Sequence, residues 1–341
     1  MKAANYKAAI YRGIGKVEVG EMPYPQCGDD DVIVKNLAGG ICGSDTLAYS
    51  EGGDAHYVWK DHEFGHEMVS EVVEVGKNVT DVKLGDYVWP HLGYAHRDRK
   101  RMATVGAFSE YIKIVGYEEG FSAFMLDKSL SLDELVLVEP FIIGTRGALS
   151  TNPGSGKTAV VFGAGMIGLS CAIMLQYYGC DKVMVVDFVD YRLENAKAFG
   201  LLTCNPKTEN LKERCIAEFG SAMKYGGEGC LASAYVDCVG AQGVVDNFID
   251  LSGPGAQLSV VGVHHKPVTL DFVSVCYNQL KIGGCGTTPA GDAIKDILEM
   301  MKTTEYDISK LISHKFNIDQ IEEALKKAGT PTDAQKVVIT F

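Results

Sequence analysis

Two patterns of apolar and polar positions divide the chain. In the first, short runs rich in Val, Ile and Tyr are bounded by Gly, Pro or Asp. Residues 6–11, 16–19, 32–37 and 68–75 read as strands on this ground. Gly76-Lys-Asn78 and Leu84-Gly-Asp86 carry turn chemistry between them. A polar stretch, Pro90–Gly106, precedes a further strand over 108–115. From about residue 155 the period changes. A buried strand over 158–162 leads through a glycine turn into an apolar helix, 167–178, ended by Gly179. A strand over 183–187, a helix over 190–199 ended by Gly200, and strands over 234–239 and 257–263 follow. This alternation predicts a doubly wound parallel sheet. The tail returns to helices at 292–302 and 318–327 and closes on a strand, 336–341. Internal repeats and low-complexity tracts are absent from the sequence.

Length and composition narrow the classes. The 341 residues suggest two domains at roughly 150 residues each. A hydrophobic fraction of 46% with 22% charged residues argues against disorder. The net charge of −12 disfavours a general nucleic-acid or anionic-membrane surface. The basic run His96–Arg101 therefore reads as an exposed loop rather than a nucleic-acid patch. The longest apolar run, near 160–175, is broken by glycines and Ser170 and is too short to cross a bilayer. The first twenty residues lack the apolar core of a signal peptide. Ten scattered cysteines form no disulfide framework. A reduced, cytoplasmic protein is the expectation.

Two constellations carry chemistry. Gly163-Ala-Gly165-Met166-Ile167-Gly168 follows a strand and opens a helix, the context that gives a GxGxxG its meaning as a dinucleotide site. Gly163 makes the turn, Gly165 lets the backbone approach a pyrophosphate, and Gly168 lets helix and strand pack closely. Asp187 lies 19 residues beyond Gly168, where a carboxylate binds the adenosine ribose hydroxyls and repels a 2′-phosphate. NAD(H) is thus expected over NADP(H). The nearby Asn152-Pro-Gly-Ser-Gly-Lys-Thr158 only mimics a phosphate-binding P-loop: Thr151 stands where that motif needs glycine, and Lys157 precedes a strand. The second constellation is Cys42, His66, Glu67 and Glu139. One soft thiolate, one imidazole and carboxylates suit Zn²⁺, and a ligand set that leaves a position to exchange suits a catalytic site.

Together these residues resemble the zinc-dependent medium-chain dehydrogenase/reductase family, on its polyol and secondary-alcohol branch. The resemblance runs through Gly40-Ile-Cys-Gly-Ser-Asp45, Gly65-His-Glu67, Lys83-Leu-Gly-Asp-Tyr-Val88, Gly106-Ala-Phe-Ser-Glu-Tyr111, Glu139-Pro140, the glycine turn with Asp187, and Leu311-Ile-Ser-His-Lys-Phe316. It implies an α/β protein with a GroES-like β-barrel catalytic domain, 1–139 with 284–341, and an inserted Rossmann domain, 140–283. It implies that Cys42 and His66 bind zinc, and that Glu67 and Glu139 approach the metal directly or from behind it. Ser44 matches the residue that hydrogen-bonds the alcohol oxygen, so Ser44, Glu67 and Glu139 form the implied catalytic set. Asp45 is placed to orient His66. Met166, Ile167, Arg192, Val239 and Val263 join the glycines and Asp187 in the implied coenzyme site, Arg192 near the ribose and Val263 at the nicotinamide amide.

Two departures stand out. Residues 89–106 hold no cysteine, so one catalytic zinc and no structural zinc is expected per chain. Leu47 stands where many members carry a proton-relaying histidine; His56 and His62 are substitutes to examine. Tyr49, Trp59, Trp89, His91 and Phe108 are candidates for pocket walls or for core. The expected reaction is hydride transfer between NAD(H) and a small secondary alcohol or polyol and its ketone, in a homo-oligomer, dimer or tetramer, without membrane or nucleic-acid partners. A zinc-free quinone or enone reductase of the same fold would lack the Cys42, His66 and Glu139 set. A non-catalytic NAD-binding protein would have no use for that set or for Ser44.

Overall fold

A computed structural model describes residues 4–95, 97, 105–286 and 290–341. The chain forms two compact units, 1–139 with 307–341, and 140–306. The family resemblance predicts 284–306 in the first unit. Its helix Ala290–Thr303 instead packs on the helix Met166–Tyr177 of the second. The reason is its apolar stripe: Ala293, Ile294, Ile297, Met300 and Met301 are buried at helical spacing.

The first unit is built mainly on antiparallel strands, with Ile312–Asn317 running parallel to its neighbour Lys336–Thr340. Asn5–Gly13 pairs with Lys16–Pro23 and with the short His62–Glu63. A larger sheet runs in the order Ile312–Asn317, Lys336–Thr340, Val32–Gly40, Glu67–Val75, Tyr87–Pro90, Ala123–Met125, with Tyr111–Ile114 also on Val32–Gly40. The chain's last strand thus lies beside one of its first, with Val338 opposite Gly40, and Gly40 opposite Glu67 on the far side. Ile33, Phe64, Phe108, Ile112 and Ile114 fill the interior. A buried polar network crosses it: Asn36 Nδ2 donates to the carbonyls of Gly106 (2.9 Å) and Ser109 (2.6 Å), and Ser70 Oγ donates to Asn36 Oδ1 at 2.6 Å. Every one of those polar atoms would otherwise be stranded away from water.

The second unit holds a six-stranded parallel sheet, ordered Leu202–Cys204, Lys182–Val186, Thr158–Phe162, Ala234–Asp237, Gln257–Val260, Lys281–Gly284. Thr158–Phe162 comes first in the chain and sits centrally, so the order reverses between it and Ala234–Asp237. That reversal is the switch point at which doubly wound sheets bind ligands. Val160, Phe162, Met184, Val186, Tyr235 and Phe248 form its core. A small hairpin, Ser221–Lys224 with Gly227–Cys230, stands apart from the sheet.

Of the basic run His96–Arg101, only Arg97 is among the described residues. It pairs with Glu118 and lies over the Phe121 ring at 4.8 Å. All ten cysteines are free thiols. Among the described residues no helix is long and apolar enough to cross a membrane.

Candidate metal and coenzyme sites

The helix Gly43–Glu51 starts immediately after Cys42, which serves as its N-cap. The Cys42 backbone N–H donates to Asp45 Oδ2 at 2.9 Å, which ties the first turn of the helix to the residue that carries the thiol. The family resemblance implies that Asp45 orients His66. Its hydrogen bond goes to Cys42 instead, and it acts on His66 through charge alone. Burial pushes the Asp45 carboxyl up to about 6, against the opposing pull of His66 and of the Cys42 N–H.

His66 and Glu67 enter from the strand Glu67–Val75 and the turn before it. Gly65 has φ +88°, a left-handed conformation, and a Cβ there would strike the Phe108 ring and Ala107. Glycine is therefore required for the chain to turn His66 toward Cys42. Opposite Glu67 stands Gly40, where a Cβ would collide with Glu67 Oε2. The result is a cluster in which one ligand atom each of Cys42, His66 and Glu67 lie within 4.8 Å of one another. A soft sulfur, an imidazole nitrogen and a carboxylate at that separation fit a zinc ion.

The electrostatics favour a positive charge. Burial draws the His66 imidazole down, but the Cys42 side chain, hydrogen-bonded to it, together with Asp45 and Glu139, holds it well above its ordinary value. Glu139 is the second residue of the helix Val138–Leu149 and is half-buried, and its charge acts on both His66 and Lys336.

Lys336 is the residue the sequence reading missed. Its ammonium pairs with Glu67 Oε2 and donates to the Ile41 carbonyl at 3.0 Å. Glu67 is 1% and Lys336 3% exposed. Burial lowers the Lys336 pKa, and Glu67 and Cys42 more than reverse this, leaving it raised. The signal was present: a lysine heading the buried run Val337-Val338-Ile339 needs a partner.

Ser44 lies in the first turn of the same helix as Cys42, half-buried. Of the pocket-wall candidates, Phe108 is fully buried against Phe64 and belongs to the core. Trp89 is buried, stacked on Phe124, with its indole N–H donating to the His66 carbonyl at 3.4 Å. Tyr49 hydrogen-bonds to Glu322. Exposed His62 is engaged through Nδ1 with the Lys60 carbonyl at 2.8 Å.

The glycine turn is in the second unit. Gly163 has φ +98° and donates its N–H to the Val186 carbonyl at 2.8 Å. A Cβ on Gly168 would collide with the Gly163 carbonyl, so the third glycine is a packing requirement. A Cβ on Gly165 would meet only Arg192 Nη1, at 3.8 Å. No protein atom demands glycine there, and the open space suits a close-approaching phosphate. Gly165 caps the helix Met166–Tyr177 without any side-chain hydrogen bond, which leaves its first N–H groups for a ligand. Asp187 accepts from the Ala164 N–H (2.7 Å) and the Val189 N–H (2.9 Å), so it also braces the turn. Each carboxylate oxygen keeps a second lone pair for a ribose hydroxyl. Arg192 stands close by, its guanidinium lowered by burial with Asp187 opposing. Val239 and Val263 are exposed on the turns that follow two neighbouring strands of the sheet.

Comparison with known proteins identifies the family. Residues 28–119 match the alcohol dehydrogenase GroES-like domain, and 166–304 match the zinc-binding dehydrogenase domain. A putative D-xylulose reductase of Agrobacterium fabrum is 30% identical over 298 residues, covering 81% of this chain and 83% of its own. The sorbitol dehydrogenase of Bacillus subtilis is 26% identical over 348 residues, covering 95% and 94%. The crystal structure of 2R,3R-butanediol dehydrogenase from Bacillus subtilis superposes with a TM-score of 0.83 at 23% identity, covering 98% and 99%. The chain belongs to the zinc-dependent alcohol dehydrogenase family of medium-chain dehydrogenases/reductases, and its chemistry is that of an oxidoreductase.

Proposed function

We propose that the chain is an NAD(H)-linked zinc dehydrogenase that interconverts a small secondary alcohol or polyol with its ketone. The observation that carries this reading is the convergence of Cys42, His66 and Glu67, with ligand atoms within 4.8 Å of one another. Cys42 and His66 hold the metal. Lys336 pairs with Glu67 Oε2, and Glu67, together with Glu139, whose charge acts on His66, supplies the carboxylates at or behind the metal. Zinc bound there supplies a Lewis acid that lowers the pKa of an alcohol hydroxyl. Ser44 hydrogen-bonds the alcohol oxygen and orients it. In the second unit, the open face of Gly165 and the uncapped helix start receive the pyrophosphate. Asp187 takes the adenosine ribose and supports NAD over NADP, and Met166, Ile167, Val239 and Val263 line the remainder. The curated polyol dehydrogenase and reductase relatives support a polyol or related secondary alcohol as substrate.

A homo-oligomer is supported by exposed Phe272, Val273 and Tyr277 on one short helix. A cytoplasmic setting is supported by the ten free thiols. The test is metal content of protein purified without chelator, combined with a panel of polyols and secondary alcohols. About one zinc per chain with NAD-dependent oxidation is expected. Metal-free protein that reduces enones or quinones at full rate overturns the reading.

A further inference from the structure

At the switch point of the parallel sheet, Asp237 ends the strand Ala234–Asp237 with no exposed surface (0%). A fully buried carboxylate needs all its hydrogen bonds. Its Oδ1 accepts from the Val239 and Gly240 N–H groups, both at 2.8 Å, and its Oδ2 accepts from His264 Nε2 at 2.8 Å. Its backbone carbonyl accepts from the Val261 (2.9 Å) and Gly262 (2.8 Å) N–H groups. One residue thus ties together two turns that leave neighbouring strands.

The turns also touch. A Cβ on Gly240 would collide with the Val263 carbonyl, and one on Gly262 would collide with the Gly240 nitrogen. The first of them abuts the glycine turn as well, since a Cβ on Gly163 would stand 2.9 Å from Val239 Cγ2. His264 Nδ1 is buried without a partner among the described residues, so the ring's polar tie is to Asp237. Immediately before His264, Val263 turns its side chain to solvent (69% exposed), as does Val239 (51%). The dyad, with Asp237 buried and the His264 side chain 18% exposed, therefore ties together the two turns that carry these exposed apolar side chains.

We propose that Asp237 and His264 are positioning residues for the nicotinamide half of the coenzyme. The dyad fixes the separation of Val239 and Val263, against which that half of the ligand rests, while the adenosine half is held independently by Gly165 and Asp187. This rests on the coenzyme reading given above. It differs from a general stabilising role in one respect: loss of the dyad affects only ligands that carry the nicotinamide.

The test is calorimetric binding of NADH and of ADP-ribose, which lacks the nicotinamide, to the full chain and to His264→Leu and His264→Gln. Removing a hydrogen bond to a buried carboxylate should weaken NADH binding by roughly tenfold or more in His264→Leu. ADP-ribose affinity should stay within about twofold, because its contacts lie elsewhere. His264→Gln, whose carboxamide N–H can still reach Asp237, should recover part of the loss, and it serves alone if the leucine variant does not fold. Equal weakening of both ligands, or no weakening of either, overturns the proposal. An unmutated chain that binds neither ligand overturns the coenzyme reading itself, and the proposal with it.

Discussion

The Lys336 ammonium and the Glu67 carboxylate form an ion pair with both side chains sealed from solvent, across 269 residues of sequence. Such a pair seldom adds net stability over an apolar substitute, but breaking one half of it strands a charge. Here the stranded charge would be a carboxylate next to the cluster of Cys42 and His66. Lys336→Met should therefore cost about 3–5 kcal/mol, read as a lower urea midpoint for the first unit. The double variant Lys336→Met/Glu67→Gln should regain most of that loss, since no charge is then buried. A single variant as stable as the parent would mean that Glu67 finds another partner.

Gly40→Ala tests the same arrangement from the other side. Its new Cβ would collide with Glu67 Oε2, so the carboxylate must leave its place beside Lys336. Displacing a group that supports a metal site commonly costs about 10–100-fold in affinity. Zinc affinity measured with a competing chelator dye should fall within that range. Unchanged affinity would show that Glu67 has no part in the site.

Cys42→Ala and His66→Ala each delete a metal donor. Zinc content should drop from about one per chain toward zero, and kcat/KM should fall by roughly 10³-fold or more, since Lewis-acid polarisation contributes several kcal/mol. NADH affinity should be unchanged, because the glycine turn is built from a separate stretch of chain. Normal turnover in either variant would remove zinc from the reaction.

Asp187→Gly removes both the ribose acceptor and the brace on Ala164 and Val189. The ratio of kcat/KM for NAD to that for NADP should fall by roughly tenfold or more, the size of a lost hydrogen bond to a charged group. Arg192, left without its neighbouring carboxylate, is free to meet a 2′-phosphate. Loss of the two backbone hydrogen bonds should also lower the melting temperature. An unchanged coenzyme ratio would refute the ribose role whatever happens to stability.

Pattern along the chain was enough for the features that are local. Short Val- and Ile-rich runs bounded by turn residues marked the strands around Val32–Gly40 and Glu67–Val75, and the apolar run 158–162 with its glycine turn marked the start of the parallel sheet. Gly163 and Gly168 could be read because a turn and a close helix–strand approach are satisfied within a few residues. Other elements escaped that reading. The helix Gly43–Glu51 has apolar and polar residues mixed around its circumference, so no stripe announces it. The short strand Lys281–Gly284 is exposed along its length and carries no alternation.

What the tertiary structure alone decided is pairing over distance. Sequence offered Asp45 as a partner for His66, and the fold gave its hydrogen bond to Cys42, because the helix start closes a capping box there. Sequence named no partner for Lys336 or His264, since neither lies in a motif. Lys336 reaches Glu67 across the intervening strand Val32–Gly40, and His264 reaches Asp237 because the strands Ala234–Asp237 and Gln257–Val260 lie side by side. The helix Ala290–Thr303 went to the second unit for the same kind of reason: its apolar stripe shows that it must be buried, but not against which surface. Composition and period determine that a group needs burial or a partner; which partner it finds is settled by the register in which the sheets assemble.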